Sequence, residues 1–123
     1  MARTASCSCG SLRVVCEAES GKASLRHCLA CQKRTGSTYG IAAFFRNQDV
    51  TVHGRSKLYV RESDSGFPVT FHFCPDCGAT VFRKPERLPD LTAVAAGAFG
   101  DPTFPKPTNA VYLETRHSWI GDP

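Results

Sequence analysis

The apolar positions of this chain recur mostly in twos. Leu12, Val14 and Cys16 alternate with Arg13, Val15 and Glu17, which predicts a half-buried strand. A short strand is expected from Lys22 to His27, after the Ser20-Gly21 turn. Gln32 to Thr38 is polar and carries Gly36, so it predicts one helical turn at most. The compact run Ile41-Ala42-Ala43-Phe44-Phe45 reads as a buried strand. Val50 to His53, closed by Gly54, and Leu58 to Arg61 read as consecutive strands. Ser63 to Gly66 is a loop cluster, after which Val69, Phe71 and Phe73 share one face of another strand. Thr80 to Arg83, Leu91 to Ala96 and Val111 to Glu114 complete the set, with Pro102, Pro105 and Pro107 marking an extended connector before the last. No internal repeat or dividing linker interrupts this pattern. It predicts one all-β domain over residues 1–123.

Composition narrows the class. A chain of 123 residues, 41% apolar and 21% charged, has ordinary globular usage and can bury a core, though a domain of this size gains from a metal staple. The net charge of +4 is dispersed, and the longest basic run, as at Lys33-Arg34, is two residues. Without a basic patch nucleic acid is not an expected partner. No apolar stretch is long enough to span a bilayer, so no membrane association is expected. The start, Met1 to Ser6, runs into Cys7 without an apolar signal region, so a cytoplasmic, reducing location is the expectation. There, closely paired thiols read as metal ligands or redox groups before disulfides.

The chemistry lies in seven cysteines. Six form close pairs: Cys7-Ser8-Cys9, Cys28-Leu29-Ala30-Cys31 and Cys74-Pro75-Asp76-Cys77. Gly10 and Gly78 follow the first and third pairs and permit the positive φ that such a knuckle uses. Two pairs from distant parts of a chain supply the four soft ligands that tetrahedral zinc takes. Spacing leaves three ways of choosing the two pairs, and the remaining pair then has too few sulfurs to close a site alone. Cys16 continues the alternation of its strand and reads as a small core residue. His53 and His72 lie in predicted strands and read as structural or surface groups, while His27, next to Cys28, faces away from it in an extended segment.

These residues resemble the family of glutathione-dependent formaldehyde-activating enzymes, which includes centromere protein V-like proteins. The likeness runs from Cys7-Ser8-Cys9-Gly10-Ser11-Leu12 through His27-Cys28-Leu29-Ala30-Cys31-Gln32-Lys33-Arg34-Thr35-Gly36-Ser37 and Phe73-Cys74-Pro75-Asp76-Cys77-Gly78. It closes on Ala96-Gly97-Ala98-Phe99-Gly100-Asp101-Pro102, Arg116 and Trp119. The resemblance implies packed antiparallel sheets with zinc knuckles, like the small Rab-accessory zinc proteins. It implies a structural zinc on Cys7, Cys9, Cys74 and Cys77. It also implies a second, catalytic zinc on a CxCxxC segment, whose last two ligands match Cys28 and Cys31. The first ligand position is Arg26, which has no lone pair to offer a metal.

The function so implied is a carbon–sulfur lyase of the S-hydroxymethylglutathione synthase type, acting on a thiol such as glutathione and a small aldehyde such as formaldehyde. Cys28 and Cys31 would be its catalytic residues, and Arg26, Lys33 or Arg34 would attract a substrate carboxylate. The alternative is a non-catalytic, zinc-stabilised binding module whose second metal site has degenerated. Arg26 in the ligand position favours that alternative.

Overall fold

The computed structural model describes residues 2–123. Ten strands are arranged in two sheets. The smaller sheet contains β1 (Arg3–Ser6), β2 (Arg13–Cys16) and β5 (Val50–His53), in the order β1-β2-β5. The larger contains β3 (Lys22–Arg26), β4 (Gly40–Arg46), β6 (Lys57–Glu62), β7 (Pro68–Phe73), β8 (Thr80–Pro85), β9 (Leu91–Ala95) and β10 (Asn109–Val111). Its order is β10-β3-β4-β9-β8-β7-β6. Every pairing is antiparallel except β10 on β3, so the larger sheet is mixed.

The period-two pattern explains the layering. Ala5, Leu12, Val14 and Cys16 face inward from the smaller sheet and its first turn. They meet Phe45, Val81, Phe82 and Val94 from the larger one. Cys16 is fully buried, in keeping with its reading as a core residue, and burial pushes its thiol up to about 11. Strand β4 is buried at four consecutive positions, Ala42 to Phe45, because both of its faces are covered.

Three elements differ from expectation. Strand β1 lies in a polar stretch whose sequence shows no alternation; only Ala5 on it is buried. The helix α1 spans Leu29–Thr35, longer than the single turn expected and displaced towards the cysteines. Leu29, Ala30, Gln32, Lys33 and Arg34 are good helix formers. Gly36 in the left-handed region closes the helix with an N–H bond to the carbonyl of Gln32. The last strand ends earlier than expected, at Val111, because Tyr112 takes a left-handed conformation (φ 59°) and leads into a 3-10 turn at Leu113–Thr115. No helix among the described residues is long and apolar enough to cross a membrane.

Candidate functional site

Two knuckles face each other where the sheets meet. After β1 the chain turns through Cys7-Ser8-Cys9-Gly10, closed by the Gly10 N–H on the Cys7 carbonyl (3.1 Å) and the Cys7 N–H on the Leu12 carbonyl (2.9 Å). Between β7 and β8 it turns through Cys74-Pro75-Asp76-Cys77-Gly78. There the Gly78 N–H bonds the Cys74 carbonyl (2.8 Å) and the Cys74 N–H the Ala79 carbonyl (3.0 Å). Gly10 and Gly78 have nearly the same positive φ, 82° and 80°.

The sulfurs of Cys7, Cys9, Cys74 and Cys77 all lie within 4.8 Å of one another. Four thiolates about 2.3 Å from one zinc ion stand about 3.8 Å apart in a tetrahedron. Observed separations of 3.7 Å for Cys7–Cys9 and 3.6 Å for Cys9–Cys74 match that edge, so the donor set fits a tetrahedral soft-metal site. Ser11 was not singled out by its sequence context. Its hydroxyl lies 3.2 Å from the sulfurs of both Cys9 and Cys74. Burial alone would raise the Cys7 thiol, but the Leu12 N–H at 3.2 Å and the neighbouring sulfurs outweigh it and hold the thiol down to about 6. The Ser11 hydroxyl, followed by the Cys77 N–H, lowers Cys74 as well. At Cys7 and Cys74 the surroundings thus favour thiolate, the ligating form.

The third pair is elsewhere. Cys28 precedes α1 and Cys31 lies in its first turn; both are buried, with sulfurs 2.8 Å apart. That is closer than two sulfurs sharing a tetrahedral zinc, about 3.8 Å. No third Cys, His, Asp or Glu joins them among the described residues. A second zinc therefore does not fit this pair as it stands. The hydrogen bond from Cys28, with Arg83, Arg26 and Arg34 nearby, overcomes burial and holds Cys31 down at about 5. That same bond and burial push Cys28 up.

The fold also gathers arginines that the sequence scatters. The guanidinium carbons of Arg34, Arg61 and Arg83 lie 5.2, 5.1 and 5.8 Å from the centroid of the Phe71 ring. Arg26 stands 5.4 Å from the ring of Tyr112. Each contact with an aromatic face is worth about 0.5–2 kcal/mol, less than the several kcal/mol it costs to bury a charge. Burial, with Arg26 and Arg34 close by, presses the Arg83 guanidinium down from its ordinary value. The guanidinium remains charged across the working range of a protein, so the strain is carried as lost stability.

A family model described as glutathione-dependent formaldehyde-activating enzyme matches residues 2–115. The chain belongs to that family. A solved relative by fold is a Rhodobacter sphaeroides protein, a crystal structure from a structural-genomics programme. It is 21% identical, with a TM-score of 0.62, covering 87% of this chain and 98% of its own. At that identity the likeness speaks for the fold alone. No curated protein matches the chain significantly.

In this formaldehyde-activating-enzyme family member, a groove of about 720 Å³ shares Arg61 and Phe71 with a small cavity that Cys28 and Cys31 help to wall. Tyr59, Phe71 and Phe73 line it, with Lys33, Arg34 and Arg61 among its cations. Arg34 is thus only half-buried and faces a cavity, whereas Lys33 is exposed. His27 is fully buried, and neither ring nitrogen has a partner. Burial and then Arg116 lower its pKa, so its ring is neutral. His53 is exposed, and His72 stacks on Phe82 with centroids 4.2 Å apart while bonding Ser56 at 2.9 Å. Neither belongs to a cysteine cluster.

Proposed function

We propose that this chain is a carbon–sulfur lyase-type enzyme of the S-hydroxymethylglutathione synthase kind, which reversibly joins a thiol such as glutathione to a small aldehyde. The observation that carries the reading is a buried thiol pair walled in with Arg26, Arg61 and Arg83, in a chain of this family. Cys7, Cys9, Cys74 and Cys77 would hold one structural zinc. When bound, that ion supplies a rigid tetrahedral clamp between the knuckles.

The chemistry runs on the chain's own side chains. The groove holds the thiol substrate, with Lys33 and Arg34 facing its carboxylates and Tyr59 and Phe73 its apolar surface. The Cys28–Cys31 pair, in the wall of the cavity beside the groove, takes the proton of the substrate thiol. The freed sulfur attacks the carbonyl carbon and forms the carbon–sulfur bond as the carbonyl π electrons move onto oxygen. The Cys28–Cys31 pair returns the proton to that oxygen. Guanidinium groups around the pair stabilise the alkoxide as it develops. The reverse sequence cleaves the adduct. In this reading the protein acts in the cytoplasm on small molecules.

Replacing Cys28 or Cys31 by Ser should lower S-hydroxymethylglutathione formation by about 100-fold or more while the fold persists. Undiminished turnover in the Cys31→Ser chain would sink the assignment. A second reading, a zinc-stabilised binding module, is favoured by the shortage of ligands at Cys28, Cys31 and Arg26. It predicts glutathione binding with no turnover in the natural chain.

A further inference from the structure

Behind the thiol pair lies a small inner cavity of about 20 Å³, walled in part by Arg26, Cys28, Cys31, Arg61 and Arg83. A neighbouring space of about 60 Å³ shares Arg26 and Arg83 with it. Arg83 is only 9% exposed, and its side chain has no hydrogen bond or ion pair among the described residues. The Nε atoms of Arg26 and Arg34 are buried without any partner. Arg61 gives one bond, to the backbone carbonyl of Glu62. Asp64 lies in the cavity wall but forms no ion pair with any of the four. The cations outnumber the one thiolate, Cys31, that faces them, and aromatic faces offset only part of the cost of gathering them. Tyr112, the one non-glycine residue with positive φ among the described residues, keeps its ring over Arg26. Strain of this kind persists where the surrounding structure over-determines it, and it concentrates at functional sites.

We propose that this inner cavity is an anion site that takes the carboxylate of the electrophile, so that the carbonyl partner is a small oxo acid rather than uncharged formaldehyde. The inference rests on the thiol–carbonyl reading and names one substrate within it. A guanidinium group matches a carboxylate in charge and in geometry. The inner cavity holds about one or two water-sized groups, so only together with the neighbouring space does it take a ligand of a few heavy atoms; neither admits a tripeptide, which leaves the outer groove to the thiol. A carboxylate among Arg26, Arg61 and Arg83 would set the adjacent carbonyl carbon beside the Cys28 and Cys31 sulfurs. The reaction is balanced without an oxidant. The thiol sulfur bonds to carbon, the C=O π bond opens, and the thiol proton ends on oxygen as a hemithioacetal.

The test is calorimetric titration of the zinc-loaded full chain with glyoxylate and with glycolaldehyde, its uncharged analogue. Glyoxylate should bind, more weakly as salt rises, and at least tenfold more weakly in both Arg26→Gln and Arg83→Gln. Arg83→Gln also removes a cation facing the Cys31 thiolate; should it fail to fold, Arg26→Gln decides alone. Glyoxylate binding no tighter than glycolaldehyde, or unchanged in the variants, would overturn the site. Turnover with glutathione separates the two readings. Formaldehyde turnover without glyoxylate binding overturns the oxo-acid inference and leaves the lyase. Arginine-dependent glyoxylate binding with no turnover of either carbonyl upholds the anion site and overturns the lyase.

Discussion

A hydroxyl placed between two sulfurs, as that of Ser11 is, acts on a metal site without touching the ion. Its one O–H can donate to the sulfur of Cys9 or of Cys74, both 3.2 Å away, which offsets part of the thiolate charge and fixes where that sulfur points. Ser11→Ala should weaken zinc binding by about 10-fold or more with little loss of fold, measured by competition with a chromophoric chelator. Cys74→Ser or Cys77→Ser should act more severely, releasing the metal and lowering the melting temperature sharply, because structural zinc binding is itself folding free energy. An unchanged midpoint with zinc retained would refute their role as ligands. Cys28→Ser should cost far less stability. In the metal-free chain the Cys7 thiol gives a pH signature. Its folded pKa, about 6, lies below the ordinary thiol value of 9.0, so the stability it contributes is full above pH 9 and is lost as the pH falls towards 6. Denaturant melts of metal-free protein should therefore show stability rising between those limits, and the rise should be smaller in Cys7→Ser.

The elements that were legible before the fold was known are those whose own neighbours determine them. β2, β7 and β9 bury alternating or continuous apolar residues, and the prolines between Asp101 and Pro107 mark a connector wherever the chain goes. Strand β1 was not legible, because Arg3-Thr4-Ala5-Ser6 is a strand only through its pairing with β2. Helix α1 was hidden because it buries little besides Cys31 and so carries no amphipathic stripe. The knuckle cysteines were legible as pairs, whereas which pairs meet depends on how β2 and β7 pack. Ser11 gave no signal beyond its place beside the first knuckle. The arginine cluster had no local signature at all, since β3, α1, β6 and β8 each bring one member. Gly54, just beyond β5, shows how closely these elements fit. A Cβ there would lie 1.9 Å from the Ser11 carbonyl oxygen, and its φ is +96°. Gly54→Ala should destabilise the chain by about 1–3 kcal/mol and disturb the first knuckle with it, seen as a lower melting temperature and weaker zinc retention.

For the molecule as a whole, the position of the metal site matters more than its occupancy at any one cysteine. Cys7 and Cys9 follow a strand of the three-stranded sheet, and Cys74 and Cys77 link two strands of the seven-stranded sheet. An ion on all four would tie the sheets together across the core formed by Leu12, Val14, Val81 and Phe82. Cys9 and Cys77 are exposed, so a chelator can reach the site without prior unfolding. Chelation under reducing conditions should consequently loosen packing between the sheets before it dissolves either one, with near-UV dichroism falling ahead of far-UV. The number of ions follows from the same geometry. One set of four sulfurs fits a tetrahedron, while Cys28 and Cys31 have no third Cys, His, Asp or Glu beside them among the described residues, and Arg26 stands where the family resemblance implies a cysteine. Elemental analysis of the purified chain should give about one tightly held zinc, as expected of a single four-cysteine site. Arg26→Cys supplies the missing donor, removes a neighbouring cation, and should raise the count towards two with the Cys28–Cys31 sulfurs moving apart. Two tight ions in the natural chain would mean that another group completes the second site and that the argument from Arg26 is wrong. A variant that gains zinc yet loses glyoxylate binding would show that the metal and the guanidinium are alternative ways of charging one pocket, since a single side chain at position 26 cannot serve both.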